Sequence, residues 1–193
     1  MVLVAGNNDN CVDRETIEFY RDFAREYVDH QEQEHGRSSL QRERFVRLLP
    51  PGAEILDLGC GAGFDAMSFE LAGFSVTAID ASPELVAIAR QRVKGTVRVG
   101  FFHAFDSVDV FDGIWAAASL VHVPRDMLPN VINVLSKSLG KNGYLYASFR
   151  LGDGECRDSH RRYYSRFAVK ELVDLFGLAG LNVLEATNRK SVV

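Results

Sequence analysis

Two carboxylates and three glycines mark where this chain could do chemistry. Residues 55–64 read Ile-Leu-Asp-Leu-Gly-Cys-Gly-Ala-Gly-Phe, an apolar run holding Asp57, followed by glycine at every second position, Gly59, Gly61 and Gly63. Glycine reaches positive φ without strain and carries no Cβ, so backbone in such a turn can lie directly against a ligand. Glu54 to Leu58 reads as a buried parallel strand that delivers the turn. A second apolar strand, Phe74 to Ile79, ends at Asp80, whose carboxylate can accept hydrogen bonds from both hydroxyls of a ribose. Two strands thus bring two acids to one edge, an arrangement suited to a nucleoside-like cofactor.

Spacing and charge narrow the choice. A dinucleotide site places a third glycine at Gly-x-Gly-x-x-Gly so that the following helix packs closely and faces a diphosphate. Counted from Gly59, that position is Phe64. Asp57 also sets a negative charge just before the turn, which favours a cationic ligand over an anionic one.

At these residues the chain resembles the class I S-adenosylmethionine-dependent methyltransferases, whose first motif has the form Asp-x-Gly-x-Gly-x-Gly and whose second strand ends in an acid. The resemblance continues as strand and helix order over roughly residues 15 to 186. It implies S-adenosyl-L-methionine as cofactor and in-line transfer of its methyl group to a small-molecule acceptor. By the same resemblance, Gly59, Cys60 and Gly61 would lie against the methionine part, with Phe64 beside them. Asp80 would bind the ribose and Ala81 would neighbour the adenine. Asp57 would contact the ligand, be satisfied by loop amides, or both. His103, next to Ala104, stands where many relatives place an acid or amide against the adenine amino group. Tyr20 and Tyr27, on a helix near the start, would cover the methionine part or simply pack.

After the fourth strand the chain reads Trp115-Ala-Ala-Ala-Ser-Leu-Val-His122. Small residues such as Ala117 would let backbone reach the cofactor. His122 could face the transferring methyl as a base, which matters when the acceptor holds its proton at neutral pH; a structural histidine is the competing reading. This stretch lacks the polar-Pro-Pro-aromatic sequence of adenine and glutamine amino-methylating enzymes and the proline-cysteine of cytosine-C5 enzymes. The acceptor side would be formed by the first helix and by Arg150, Arg162, Tyr163 and Tyr164, near Arg157, His160 and Arg161. Those groups could receive an anionic or aromatic acceptor, or form a solvated loop anchored by its tyrosines. A protein that binds S-adenosylmethionine without transferring the methyl group, a sensor or regulatory module, would share the cofactor residues and differ only here.

With 193 residues and no Pro/Gly/Ser linker, a single domain over 1–193 is expected, with a helical cover at 13–50 and a variable lid at 151–164. The net charge of −4 supplies no global basic field, so a nucleic acid is an unlikely partner. Cys11, Cys60 and Cys156 are too scattered for a metal site or a disulfide framework, which points to the cytoplasm. No stretch reaches membrane-spanning length, and the expected assembly is a monomer or homodimer.

The elements that must position these residues follow from pattern. Ile17, Tyr20, Ala24, Tyr27 and Val28 share one face of a helix over Asp13 to His30. A second helix, Ser39 to Leu49, ends before Pro50-Pro51. Ser82-Pro83-Glu84 is a helix start, with serine as N-cap and proline at the first helical position, for a helix to about Val93. Val97 to Ala104, Phe111 to Ala117 and Tyr144 to Phe149 are further strands, with a helix over Pro124 to Leu139. Arg166 to Leu178 is a helix and Leu181 to Glu185 a last strand. Alternating strands and helices predict an α/β, Rossmann-like, doubly wound and mostly parallel sheet with helices on both faces. Only thirteen residues follow Gly180, so the expectation is a sheet lacking the family's usual last antiparallel strand, or a sequence that stops before it. Phe101 and Phe102 read as core or as a wall of the adenine site, the core being favoured, and Asp80, at a strand end, as dispensable for folding.

Overall fold

The computed structural model describes residues 13–35, 40–102 and 110–187. Three helices come first: α1 (Arg14–Asp22), α2 (Ala24–His35) and α3 (Leu40–Val46). The expected single helix from Asp13 is interrupted at Phe23, where the backbone turns to φ −113° and ψ 26°. The hydrogen bonds from Phe23 N–H to Phe19 O and from Tyr27 N–H to Phe23 O still carry the periodic face across the break. There follow β1 (Glu54–Leu58), α4 (Phe64–Leu71), β2 (Ser75–Asp80), α5 (Pro83–Ala89), β3 (Thr96–Val99), β4 (Phe111–Ala116), α6 (Leu128–Ser138) and β5 (Leu139–Ala147).

The five strands form one parallel sheet in the order β3-β2-β1-β4-β5. Alternation along the strands builds a core on each face. Leu56, Leu58, Ile79 and Ile114 point to one side and pack against Leu128, Val131, Ile132 and Leu135 of α6. Ile55, Val76, Ala78 and Trp115 point to the other and meet Phe45, Phe69, Val86 and Ala89 from α3, α4 and α5. Burial on both faces explains the near-continuous apolar run of β1. From β1 the order runs through β2 and β3 on one side and resumes with β4 and β5 on the other, so the crevice at the carboxyl ends of β1 and β4 is the topological switch point where such sheets bind ligands.

Helix α5 starts as its sequence dictates: the Ser82 hydroxyl accepts from Leu85 N–H at 3.3 Å and Pro83 is the first helical residue. The run Gly140 to Gly143 loops out of register between the Phe111–Leu139 and Gly113–Tyr144 pairs, with Asn142 at φ 62°.

Two expectations for the C-terminal part are corrected. The polar stretch after β5 is a small second sheet of β6 (Arg150–Leu151), β7 (Glu155–Arg157) and β8 (Tyr163–Phe167), and the last helix, α7 (Val169–Leu178), starts after it. Tyr164, Ser165 and Phe167 are buried, so the aromatic residues of β8 are held by packing that a polar reading of the segment does not reveal. Residues 181–187 form no strand. A strand needs a neighbour to pair with, and this segment is held instead by Leu181 N–H donating to Phe176 O and by an ion pair of Glu185 with Arg44 at 3.0 Å. Val183 and Leu184 stay exposed.

Candidate functional site

The turn after β1 takes the conformation its glycines allow. Gly59, Gly61 and Gly63 have φ of 74°, 55° and 81°. At Gly59 the need is absolute, since a Cβ there would stand 2.3 Å from Ser119 Cβ. The amides of Gly59 and Cys60 both donate to Ile79 O, at 2.8 and 2.9 Å, and Gly61 N–H donates to Asp80 Oδ2 at 2.9 Å. These amides are therefore spent inside the protein and cannot cradle a phosphate. Asp57, 3% exposed, accepts from the amide of Ala66 in the first turn of α4. Asp65 in that turn accepts from Arg42 at 2.6 Å and from the Trp115 indole at 2.8 Å. Two carboxylates at that helix start leave no place for a diphosphate, so the charge argument against a dinucleotide acquires a structural basis.

Asp80 accepts from Gly61 N–H with one oxygen and from Ser82 N–H, at 2.8 Å, with the other. Burial pushes its pKa up, while amides of Ser82, Gly61 and Ala81 pull it back. The carboxylate keeps acceptor capacity for a further donor such as a ribose hydroxyl. Phe101 and Phe102 line the cleft with Ala81 and Leu85, and Phe102 also packs against the core. They extend it toward β3. His103 and Ala104 lie outside the described residues.

Helices α1 and α2 roof the cleft with Thr16, Ile17, Tyr20, Tyr27 and Gln31. Tyr20 and Tyr27 meet edge to face at 5.0 Å, and burial pushes the Tyr27 phenol up to about 12. The Tyr20 hydroxyl lies 3.1 Å from His122 Nε2, and His122 Nδ1 lies 2.7 Å from the carbonyl of Tyr163. A carbonyl only accepts, so Nδ1 carries the proton and Nε2 presents its lone pair to Tyr20. Burial lowers the His122 pKa to about 4, which keeps the ring neutral. Cys60 is buried, and burial pushes its thiol far up, so it offers contact surface and no nucleophile.

The sequence-derived residues divide cleanly in space. Tyr20, Tyr27, Asp57, Gly59, Cys60, Gly61, Phe64, Asp80, Ala81, Ala117 and His122 all line the one cleft. Arg150, Arg162, Tyr163 and Tyr164 stand behind His122. Tyr164 is buried with its ring 4.7 Å from the imidazole, and the Arg150 guanidinium stacks on that ring at 3.5 Å. Arg162 is held by Asp158 at 2.7 Å, and Tyr163 binds Thr16 Oγ1 through its N–H at 2.8 Å. Arg157 and Arg161 are paired with Asp13 and Glu15 at 2.6 and 2.9 Å. The small sheet thus clamps α1 over the cleft, and most of its cations are already matched within the protein. Sequence reasoning missed Gln31 and Ser119, which carry no motif of their own.

Three buried side-chain atoms among the described residues have no hydrogen-bond partner: Gln31 Oε1, Asp57 Oδ2 and Ser119 Oγ. All three residues line this cleft. Buried polar atoms are seldom left so, and their convergence on one cavity marks a place completed by a ligand.

Residues 55–143 match the family model described as a methyltransferase domain. A ubiquinone biosynthesis O-methyltransferase of Xanthomonas axonopodis pv. citri is 35% identical over 110 residues, which cover 53% of this chain and 45% of that protein. Residues 55–143 carry a methyltransferase domain of the class I S-adenosylmethionine-dependent type. The chain spans about half the length of these curated relatives. Among solved structures, the putative methyltransferase in complex with the Trm112 activator of Haloferax volcanii has a TM-score of 0.70 at 18% identity, over 90% of this chain and 79% of that one. The 1,6-didemethyltoxoflavin-N1-methyltransferase of Burkholderia thailandensis, solved with 1,6-didemethyltoxoflavin and S-adenosylhomocysteine, has a TM-score of 0.64 at 22% identity, over 89% and 82%. At these identities the two structures speak for the methyltransferase fold alone.

The residues of this methyltransferase domain fit the family's cofactor, S-adenosylmethionine. Its sulfonium and ammonium are cations, and the cleft offers unpartnered acceptors and carboxylates with no free phosphate cradle. Asp80 has a second duty that strand-end position does not disclose, since it fastens the glycine turn to the start of α5. Asp80→Ala is therefore expected to weaken S-adenosylmethionine binding about tenfold or more and also to cost about 1–3 kcal/mol of stability, because two amides lose their acceptor. Calorimetric titration and chemical denaturation check the two effects separately; a variant as stable as the parent would remove the fastening role.

Proposed function

We propose that this protein transfers the methyl group of S-adenosylmethionine to a small molecule whose accepting hydroxyl or amine holds its proton at neutral pH. The observation that carries the reading is the Tyr20–His122 pair, a neutral imidazole whose basic nitrogen faces a phenol inside the cleft. The cofactor supplies an activated methyl on sulfur. The protein supplies position and a proton path. Asp80 would hold the ribose, with Ala81, Phe101 and Phe102 around the adenine. Asp57, the Gly59–Gly61 turn, Phe64 and Ala117 would hold the methionine part, under Tyr20 and Tyr27.

The acceptor's proton passes to the Tyr20 oxygen as the phenol's own proton passes to His122 Nε2, which leaves an imidazolium for solvent to discharge. Roofing by α1 and α2 excludes water and fixes donor and acceptor at reacting distance, which is most of what an in-line displacement needs. His103 and Ala104, outside the described residues, remain proposed adenine neighbours. Arg150, Arg162, Tyr163 and Tyr164 would shape the acceptor side from behind His122, with 151–164 acting as the lid and 13–50 as the cover of one domain.

A cleft roofed by α1 and α2 and a net charge of −4 favour a small acceptor over a nucleic acid. No helix among the described residues is long and apolar enough to cross a membrane; we place the protein in the cytoplasm, as a monomer or homodimer. The test is a calorimetric titration with S-adenosylmethionine, S-adenosylhomocysteine and NAD, followed by a labelled-methyl screen over small hydroxylated and amino compounds. Binding of the first two without NAD, and label in an acceptor, is the expected result. Tight cofactor binding with no transfer to any acceptor would favour the sensor reading, and no binding at all would sink both.

A further inference from the structure

We propose that Gln31 receives the ammonium group of the cofactor's amino-acid end, together with Asp57 and Ser119; this rests on the cofactor reading above. Gln31 lies on α2, and its Nε2 donates to the Tyr27 hydroxyl at 2.9 Å. Its Oε1 is buried and has no partner. The side chain stands over the apex of the glycine turn, where a Cβ on Gly61 would be 3.7 Å from Oε1. The other two unpartnered atoms belong to residues that line the same cleft. Asp57 is on β1, and the Ser119 hydroxyl would lie 3.2 Å from a Cβ on Gly59.

All three atoms can accept a hydrogen bond, and an ammonium carries three N–H donors. No other part of the cofactor has that need. A ribose presents two hydroxyls, for which Asp80 already stands at the end of β2. An amino-acid carboxylate would require donors, and the amides of Gly59, Cys60 and Gly61 are occupied. A cation is also the group that the charge of Asp57 favours in a buried setting. With Nε2 on the Tyr27 hydroxyl, Oε1 is the amide atom left without a partner, and the phenol of Tyr27, its pKa pushed up to about 12 by burial, stays neutral throughout. Gln31 thereby links the helical cover to the part of the ligand that it covers.

The test compares S-adenosylhomocysteine with 5′-methylthioadenosine, which keeps the adenine, ribose and sulfur and lacks the amino-acid end. Calorimetric Kd values are measured for both ligands with the full chain, with Gln31→Ala and with Gln31→Glu. Gln31→Ala should weaken S-adenosylhomocysteine binding about tenfold to a hundredfold, the range for a lost bond to a charged group, and leave 5′-methylthioadenosine within about twofold. Gln31→Glu should bind S-adenosylhomocysteine at least as tightly as the parent, since a carboxylate accepts from an ammonium more strongly. An equal loss for both ligands would make Gln31 only a clasp on Tyr27 and overturn the assignment. So would a loss in Gln31→Glu as large as in Gln31→Ala, which would place the amide nitrogen against the ligand's carboxylate. Failure of the unaltered protein to bind S-adenosylhomocysteine would be seen before either variant is compared, and would bring down the cofactor reading itself.

Discussion

Asp57→Asn is expected to make the ligand-free protein more stable at neutral pH and to remove most of its affinity for S-adenosylmethionine. Asp57 Oδ2 is buried without a partner, and burial, then the charges of Asp65 and Asp80, push its pKa well above the ordinary carboxylate range. A carboxyl whose pKa is raised on folding takes up a proton more readily when folded. Its cost to stability is absent below the unfolded pKa, grows as pH rises through the window between the unfolded and folded values, and is complete above it. Asparagine keeps one oxygen for the Ala66 amide and removes the charge, so the difference between the two proteins should follow that same curve. Relief of an uncompensated buried charge is worth about 1–3 kcal/mol here, or about 2–4 °C of melting temperature per kcal/mol for a chain of this size.

Binding reverses the sign. A cation seated against Asp57 stabilises the carboxylate, so binding should release a proton and tighten as pH rises through the window. Loss of the charge should weaken binding about a hundredfold. Thermal melts across the acid range, with titrations in two buffers of different ionisation enthalpy, read both effects. A variant that melts below the parent at neutral pH would show that Asp57 is satisfied without a ligand.

Most of the cofactor side was legible in the chain because it is local. The turn Gly59–Gly63, the N-cap Ser82 with Pro83, and the strands ending at Leu58 and Asp80 depend on neighbours a few residues away. What could not be read depends on partners distant in sequence. Asp80 looks like a free strand end until Gly61 N–H is found on it. Gln31 is an ordinary polar helix residue until the fold lays α2 across the turn. The arginines of the segment after β5 suggest an anion site, yet Arg157 and Arg161 are matched by Asp13 and Glu15 from the other end of the described chain. Tyr163 to Phe167 reads as the approach to a helix because the packing that makes it a strand comes from the region of Val121 and His122; Ser165 Oγ donates to Val121 O at 3.1 Å. The apolar run Leu181 to Glu185 had the composition of a strand and pairs with none, although β5 stands at the edge of the sheet. Composition sets what a segment can bury, and pairing decides what it becomes.

The largest effect on turnover is expected at His122. Removing it in His122→Ala takes away the terminal proton acceptor and should lower kcat about a hundredfold to ten-thousandfold for an acceptor that must lose a proton, with cofactor Kd changed by about twofold or less. Tyr20→Phe keeps the ring contact with Tyr27 while cutting the relay, so it should lose kcat by a similar factor. If Tyr20→Phe keeps full turnover while His122→Ala loses it, the imidazole acts directly and the relay is wrong. If both keep it, neither takes part in the chemistry. The pH profile supplies an independent reading, because burial holds His122 at about 4. The acid limb of kcat/KM should therefore lie near pH 4 instead of near the ordinary histidine value. The same shift acts on folding with a definite sign. A histidine whose pKa falls on folding binds fewer protons folded than unfolded, so stability rises with pH between the two values and is lost as pH drops from about 6.5 toward 4. That loss amounts to about 3 kcal/mol at the acid end and should be missing from His122→Ala. A variant whose acid sensitivity matched the parent's would mean that the imidazole titrates in contact with water, and a base so exposed could not be the one held by Tyr20 and the Tyr163 carbonyl.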